Sequence, residues 1–157
     1  MPTSIVFVAG SRQISRLPAE VRNRLDTMIE KGFQILVGDA NGADKAIQRY
    51  LADKSYSNVL VHCMKDRCRN NVGSWPTREV DAPRGARGFD YYSLKDRAMA
   101  EAAEYGLMLW DGKSKGTAGT TSGIGSPVRS PGRAPLRVSR RSSWMSLRQA
   151  IPQGQVL

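Results

Sequence analysis

The chain has 157 residues, 40% of them hydrophobic, with a formal charge of +10, two cysteines and one histidine. That length suits one domain with a useful core, and no run of about eighteen apolar residues is present to span a membrane. The start, Met1-Pro2-Thr3-Ser4, passes directly into a strand-like run without the basic region and cleavage site of a signal peptide, so the expected location is cytoplasmic, with no membrane partner.

Residues 4–9 form a continuous β-branched and apolar run, the pattern of a strand covered on both faces. Pro18 then stands just inside a predicted helix that reaches about Lys31, with Val21, Leu25, Met28 and Ile29 at helical spacing and Gly32 as its stop. A second strand is expected over 33–37. The helix after it, about 43–54, turns Ala43, Ala46, Ile47, Tyr50 and Leu51 inward and Lys45, Gln48, Arg49 and Asp53 outward. A third short strand follows at 59–63. Repeated strand–helix–strand units of this length imply right-handed crossovers between parallel strands.

From Met64 to Asp90 periodicity stops, and arginines lie among Asn, Gly and Pro, the composition of a long loop with a function or without order. Helical spacing returns over 92–105, with Tyr92, Met99, Ala102 and Ala103 facing inward and Lys95, Asp96 and Glu101 elsewhere, before a fourth strand at 107–110. Composition then changes. Residues 1–117 hold eighteen Lys and Arg against fourteen Asp and Glu, net +4, whereas 118–157 hold six Arg and no acid, among Gly, Ser, Thr and Pro. Such a segment cannot offset the entropy of ordering, and no further Val/Ile-rich strand is visible in it. The expected fold class is α/β, a Rossmann-like parallel sheet flanked by helices over 1–117, followed by an irregular C-terminal tail over 118–157.

Three apolar runs open onto small-residue loops: Gly10-Ser11-Arg12, then Gly38-Asp39-Ala40-Asn41-Gly42-Ala43-Asp44, then Asp111 to Gly116-Thr117. In a parallel sheet these loops converge on one edge, where α/β folds bind ligands. Gly42 and the amides near it are expected at a phosphate, favoured by the helix N-terminus, or else in an ordinary strand-to-helix turn. Arg12 suits a bidentate phosphate clamp, with a solvated surface arginine as the alternative. Asp44 suits a ribose hydroxyl or first-turn dipole compensation, and Asp39 a similar contact or the shaping of the turn. Gly116 and Thr117 resemble part of a phosphate loop, although the full P-loop order is missing.

Arg69, Asn71 and Trp75 combine charge, amide and ring in one loop that could stack on a base or act as a lid. Lys95 and Asp96 either reach the pocket or form an exposed pair. His62 is expected to be packed or solvated rather than a general base. Cys63 and Cys68 are too few and too close for a disulfide framework and lack the second ligand pair of a zinc site, so a half-buried Cys63, an exposed Cys68 and no metal are expected.

Taken in order, Val8-Ala9-Gly10-Ser11-Arg12, Leu36 to Asp44, Arg69-Asn70-Asn71-Val72-Gly73-Ser74-Trp75, Lys95-Asp96-Arg97-Ala98-Met99 and Leu109 to Thr117 resemble the SLOG superfamily of Rossmann-like nucleotide-binding domains, specifically its small Gly-Ser-Arg family. The resemblance covers about residues 4–117. Its relatives include lysine-decarboxylase-like phosphoribohydrolases and a DNA-processing protein that loads recombinase on single strands. It implies a pocket for a nucleotide or nucleotide derivative. The phosphoribohydrolase branch carries a catalytic glutamate three positions after Gly-Thr, where this chain has Thr120. Such domains also continue into a further helix and strand, so the abrupt change near residue 118 reads as a frameshift or truncation.

The first functional expectation is therefore binding of a nucleotide-class small molecule, with weak hydrolysis at an N-glycosidic or phosphate bond carried by Asp44 or Asp96. The second is a single-stranded nucleic-acid-binding module, motivated by the positive charge and the Arg-rich loop. No cofactor is expected. Loss of the terminal elements predicts a marginal monomer with one exposed sheet edge and places a homo-oligomer among the expected states.

Overall fold

A computed structural model describes residues 3–65 and 67–109, together with the backbone of 136–140. The elements run β1 (Ile5–Gly10), α1 (Ala19–Glu30), β2 (Gln34–Gly38), α2 (Ala43–Asp53), β3 (Val59–Met64), β4 (Thr77–Val80), α3 (Gly88–Ala102), β5 (Tyr105–Leu109) and β6 (Leu136–Arg140). They build one sheet in the order β4-β3-β2-β1-β5-β6. The first five of these are parallel, and β6 pairs antiparallel with β5. The α/β class expected from the sequence is present. No helix among the described residues is long and apolar enough to cross a membrane.

Alternation along β1 explains the layers. Val6 and Val8 face a cluster with Val21, Leu25 and Met28 of α1 and Ile47 and Leu51 of α2. Phe7 and Ala9 point to the other face, against Met99 and Ala103 at the α3 side. Both faces of the central strands are therefore covered, which is why they read as unbroken apolar runs. The chain steps outward from β1 through β2 and β3 to β4, then returns through α3 to β5 on the other side of β1. The strand order thus reverses between β1 and β5, and the loops after β1 and β2 leave the carboxyl edge beside that reversal.

Two parts of the expected outline change. The segment from Met64 to Asp90 is not wholly irregular, because Thr77–Val80 adds a parallel strand to β3 and α3 begins at Gly88. Thr77-Arg78-Glu79-Val80 is an edge strand with three exposed residues, so it lacks the apolar run that marks a buried one. The sequence predicts one exposed sheet edge, and β5 is paired by Leu136–Arg140. Leu136-Arg137-Val138-Ser139-Arg140 does alternate apolar and polar residues, a short signal within an otherwise Arg- and Ser-rich region. The remaining expectations for the tail, and those for Gly116 and Thr117, fall outside the described residues.

Tight backbone approach joins the β1 loop to α2. Gly42 has φ +85°, and the backbone of Arg12 occupies the place where a Cβ would stand. Its neighbour Ala43 donates its amide N–H to the Ser11 carbonyl at 3.1 Å. Gly10 is similarly close, with the Leu109 and Ala43 side chains 2.7 and 2.8 Å from a Cβ position. Packing thus accounts for these glycines within the protein itself. Gly42→Ala is expected to destabilise the chain by at least about 2 kcal/mol, since left-handed strain and a backbone clash combine. Gly32→Ala, also at positive φ but with open space around it, should cost only about 1 kcal/mol; urea unfolding of the two variants measures the difference.

Candidate functional site

The site begins where β2 ends. Gly38 is followed by Asp39, which has no exposed surface. A buried carboxylate requires partners, and Asp39 has donors from two distant segments. Arg69 gives its backbone N–H to Oδ2 at 2.9 Å, its Nε to Oδ2 at 3.3 Å and a terminal guanidinium nitrogen to Oδ1 at 2.9 Å. Lys95, 2% exposed, reaches Oδ1 at 3.0 Å. Burial by itself would raise the Asp39 carboxyl, but the hydrogen bonds and charges of Arg69 and Lys95 outweigh it and hold the group down to about 2.

Lys95 comes from α3, on the opposite face of the sheet from α2, and its ammonium also lies 3.7 Å from Asp44 Oδ2 in the first turn of α2. The Gly38 backbone makes this bridge possible, because a Cβ there would fall on Asp44 Oδ2 and 2.9 Å from Lys95 Nζ. Asp44 Oδ2 also accepts from the Ala40 amide at 3.1 Å. Burial pushes the Asp44 carboxyl up to about 6 against the pull of Lys95, and the Asp96 charge adds to the rise. Asp96, half-buried beside Lys95, is raised as well, chiefly by burial.

Two further side chains tie the loops together. Gln48, one turn after Asp44 on the same helix face, donates to the Gly38 carbonyl at 2.7 Å and the Asn70 carbonyl at 3.1 Å, and accepts from the Val72 amide at 2.9 Å. Asn70 donates to the Asp39 carbonyl at 2.8 Å and to Asn41 Oδ1 at 3.0 Å. The sequence reading placed Gln48 outward, yet it is fully buried. Its i,i+4 relation to Asp44 was the available signal. Lys95 likewise departs from the exposed-pair alternative, because only the packing of α3 across the sheet end brings it to Asp39.

Other expected contacts resolve differently. Trp75 is 8% exposed in the core cluster, its indole N–H donating to the Tyr56 carbonyl at 2.8 Å. Asn71 donates to the Trp75 carbonyl at 2.8 Å and accepts from the Trp75 amide at 3.0 Å. These two residues therefore shape the loop, and the Trp75 ring is not a free stacking surface. Tyr92, expected inward, is 37% exposed and lies under the Arg69 guanidinium at 4.6 Å. Ser11 is buried, with its hydroxyl accepting from the Gln13 amide at 3.1 Å. Arg12 is exposed, and its guanidinium makes no ion pair among the described residues.

Near the α2 start, the amides of Ala40 and Ala43 already have protein acceptors. Within the protein these amides are therefore engaged, and Arg12 stands exposed beside them. Cys63 and Cys68 are joined by a disulfide, contrary to the sequence expectation; Cys63 is buried and Cys68 exposed. Turn geometry after β3, not spacing, brings them together. The two sulfurs and an Asp39 oxygen lie within 4.8 Å of one another, but the sulfurs are bonded to each other and the Asp39 oxygens face Arg69 and Lys95. His62 is packed, as expected, with both ring nitrogens unpartnered. Burial, then the charges of Arg78 and Lys95, lowers it to about 4.

No protein-family model matches the chain, and neither curated proteins nor solved structures provide a match.

The arrangement has the chemistry of a poised acid beside a fixed ammonium: Asp44 exchanges its proton near pH 6, while Asp39 stays ionised. The stability consequences have opposite signs. Asp44 is raised from 3.8 to about 6 by folding, so its contribution is complete below pH 3.8 and lost as pH rises through 6. His62 is lowered from 6.5 to about 4, so stability falls as pH drops from 6.5 through 4. These trends offset one another in the native chain. Asp44→Asn should shift the balance toward the His62 slope, so that stability falls further between pH 6.5 and 4 than it does in the native chain, with Asp96 still opposing it. His62→Leu should uncover the Asp44 slope, a loss of about 2 kcal/mol from pH 4 to 6. Urea unfolding across that range reads both.

Proposed function

We propose that this protein binds a nucleotide or nucleotide derivative at the carboxyl edge of its parallel sheet, across the loops after β1 and β2. The observation that carries the reading is the buried Lys95–Asp39–Arg69 cluster, which fixes the loop after β2 against the segment after β3 and against α3, beside the point where strand order reverses. Such rigid support is what a ligand site requires of the residues beneath it. The resemblance of residues 4–117 to SLOG domains leans the same way.

In this reading Arg12 is the phosphate contact, because it is exposed at the end of β1 and has no ion-pair partner among the described residues. Hydrolysis of an N-glycosidic or phosphate bond at this edge falls to Asp44, whose carboxyl sits near 6, with Asp96 as the second acid. Thr120 cannot replace the missing glutamate as an acid or base. The second reading, a single-stranded nucleic-acid module, draws on the exposed arginines Arg78, Arg84 and Arg87 between β3 and α3.

Thermal unfolding against nucleotides, nucleotide sugars and short single-stranded oligonucleotides, at low and high salt, tests the two. A salt-tolerant rise with one nucleotide class supports the pocket; a rise with oligonucleotides that disappears in salt supports the nucleic-acid module. Under the pocket reading, Arg12→Ala should weaken nucleotide binding by about ten- to hundredfold, the range for a lost charged hydrogen bond, and leave the unfolding midpoint of the free chain unchanged. Isothermal titration of both proteins supplies the comparison. Unchanged affinity in the variant would remove Arg12 from the site.

A further inference from the structure

The Cys63–Cys68 bond has no part in the ligand reading, and its surroundings point to a separate role. Cys63 ends among the buried residues of β3, whereas Cys68 is exposed. The sequence separation is only five, so the loop-closure entropy removed from the unfolded chain is at the low end for a disulfide. A staple for stability is a poor account of it. The next residues give a better one: Arg69 carries three donors to the Asp39 carboxylate, and Asn70 holds the Asp39 carbonyl and Asn41. Between Met64 and Arg69, noncovalent ties include the Lys65 amide to the Val80 carbonyl at 2.9 Å, the Lys65 ammonium to Asp81 at 3.1 Å and the Arg67 amide to the Met64 carbonyl at 3.2 Å. The sulfur bridge is thus the covalent hold on the segment that delivers Arg69.

We infer that Cys63–Cys68 is a reversible redox modification site, opened by a dithiol reductant, and that its state determines how firmly Arg69 is latched on Asp39. A reductant thiolate attacks the exposed Cys68 sulfur, forming a mixed disulfide and breaking the Cys63–Cys68 bond. The bonding electron pair leaves with the Cys63 sulfur. This thiolate appears beside an Asp39 charge that Arg69 and Lys95 already match. The second thiolate of the reductant attacks its own sulfur in the mixed disulfide and releases Cys68. Two protein thiols are formed, the reductant becomes a disulfide, and its two protons pass to the cysteines. Exposed bonds of this kind belong to the labile class. With the bridge open, the segment is held by noncovalent contacts alone and opens more often. This inference is independent of which ligand the sheet edge takes.

The test uses the full chain, oxidised with diamide or reduced with dithiothreitol, followed by brief trypsin treatment and mass spectrometry of the peptides. Cleavage after Arg69 should be about tenfold faster in the reduced chain, with cleavage after Arg84 and Arg87 unchanged. Cys68→Ser, an exposed substitution, should show the fast rate with or without reductant. Glutathione, a monothiol that can trap the first step, should be found on Cys68 and not on Cys63. Equal cleavage after Arg69 in both states would overturn the inference, as would equal acceleration at every site, glutathione on Cys63, or two alkylatable thiols after diamide treatment.

Discussion

Asp39 is buried and yet stays ionised, because Arg69 and Lys95 supply charged donors from two distant segments of the chain. Removing one partner from a buried pair typically costs about 3–5 kcal/mol, since the remaining charge is left in a medium that cannot solvate it. That penalty makes the contact a constraint on the whole carboxyl edge. The segment after β3 must lie over the loop after β2, and α3 must cross the sheet at the height that brings Lys95 to Oδ1. Gln48 and Asn70 then satisfy the carbonyls of Gly38 and Asp39 that this arrangement encloses.

Close backbone packing complements that electrostatic hold. Gly10, Gly38 and Gly42 each leave a space that another part of the protein fills: the Leu109 and Ala43 side chains, the Asp44–Lys95 contact, and the Arg12 backbone. Small residues in strand-to-helix loops are often read as room for a phosphate. Here they serve first to let β1, β2, α2 and α3 meet, and Arg12 is the charged group left facing outward. The same enclosure separates the two acids of the edge. Asp39 gains cationic partners at hydrogen-bond distance and is held low, while Asp44 is more weakly paired and rises with burial.

Most regular elements were legible in the residue pattern. The spacing of Val21, Leu25 and Met28 marked α1, and the apolar runs at 4–9, 33–37, 59–63 and 107–110 marked four central strands within one or two residues of their bounds. Edge strands were not legible, because β4 and β6 pair on one side only and carry polar or arginine residues where a buried strand carries valine. Within the site, Asp39, Asp44, Arg69 and Lys95 stood out by residue type and position. Their mutual contacts did not, and neither did the burial of Gln48.

The sequence by itself determined the parallel α/β class, since continuous apolar strands alternating with amphipathic helices have few ways to bury both faces. It also placed the small-residue loops at one edge of that sheet. Only the tertiary structure decided what those loops touch. Asp39 and Lys95 are 56 residues apart and Arg69 lies between them, so their meeting depends on the crossing of α3 and the path after β3. The Cys63–Cys68 bridge depends on that path as well. Periodicity reports which face of an element is buried, but a polar contact between distant segments is set by the relative placement of the elements, which no local pattern encodes.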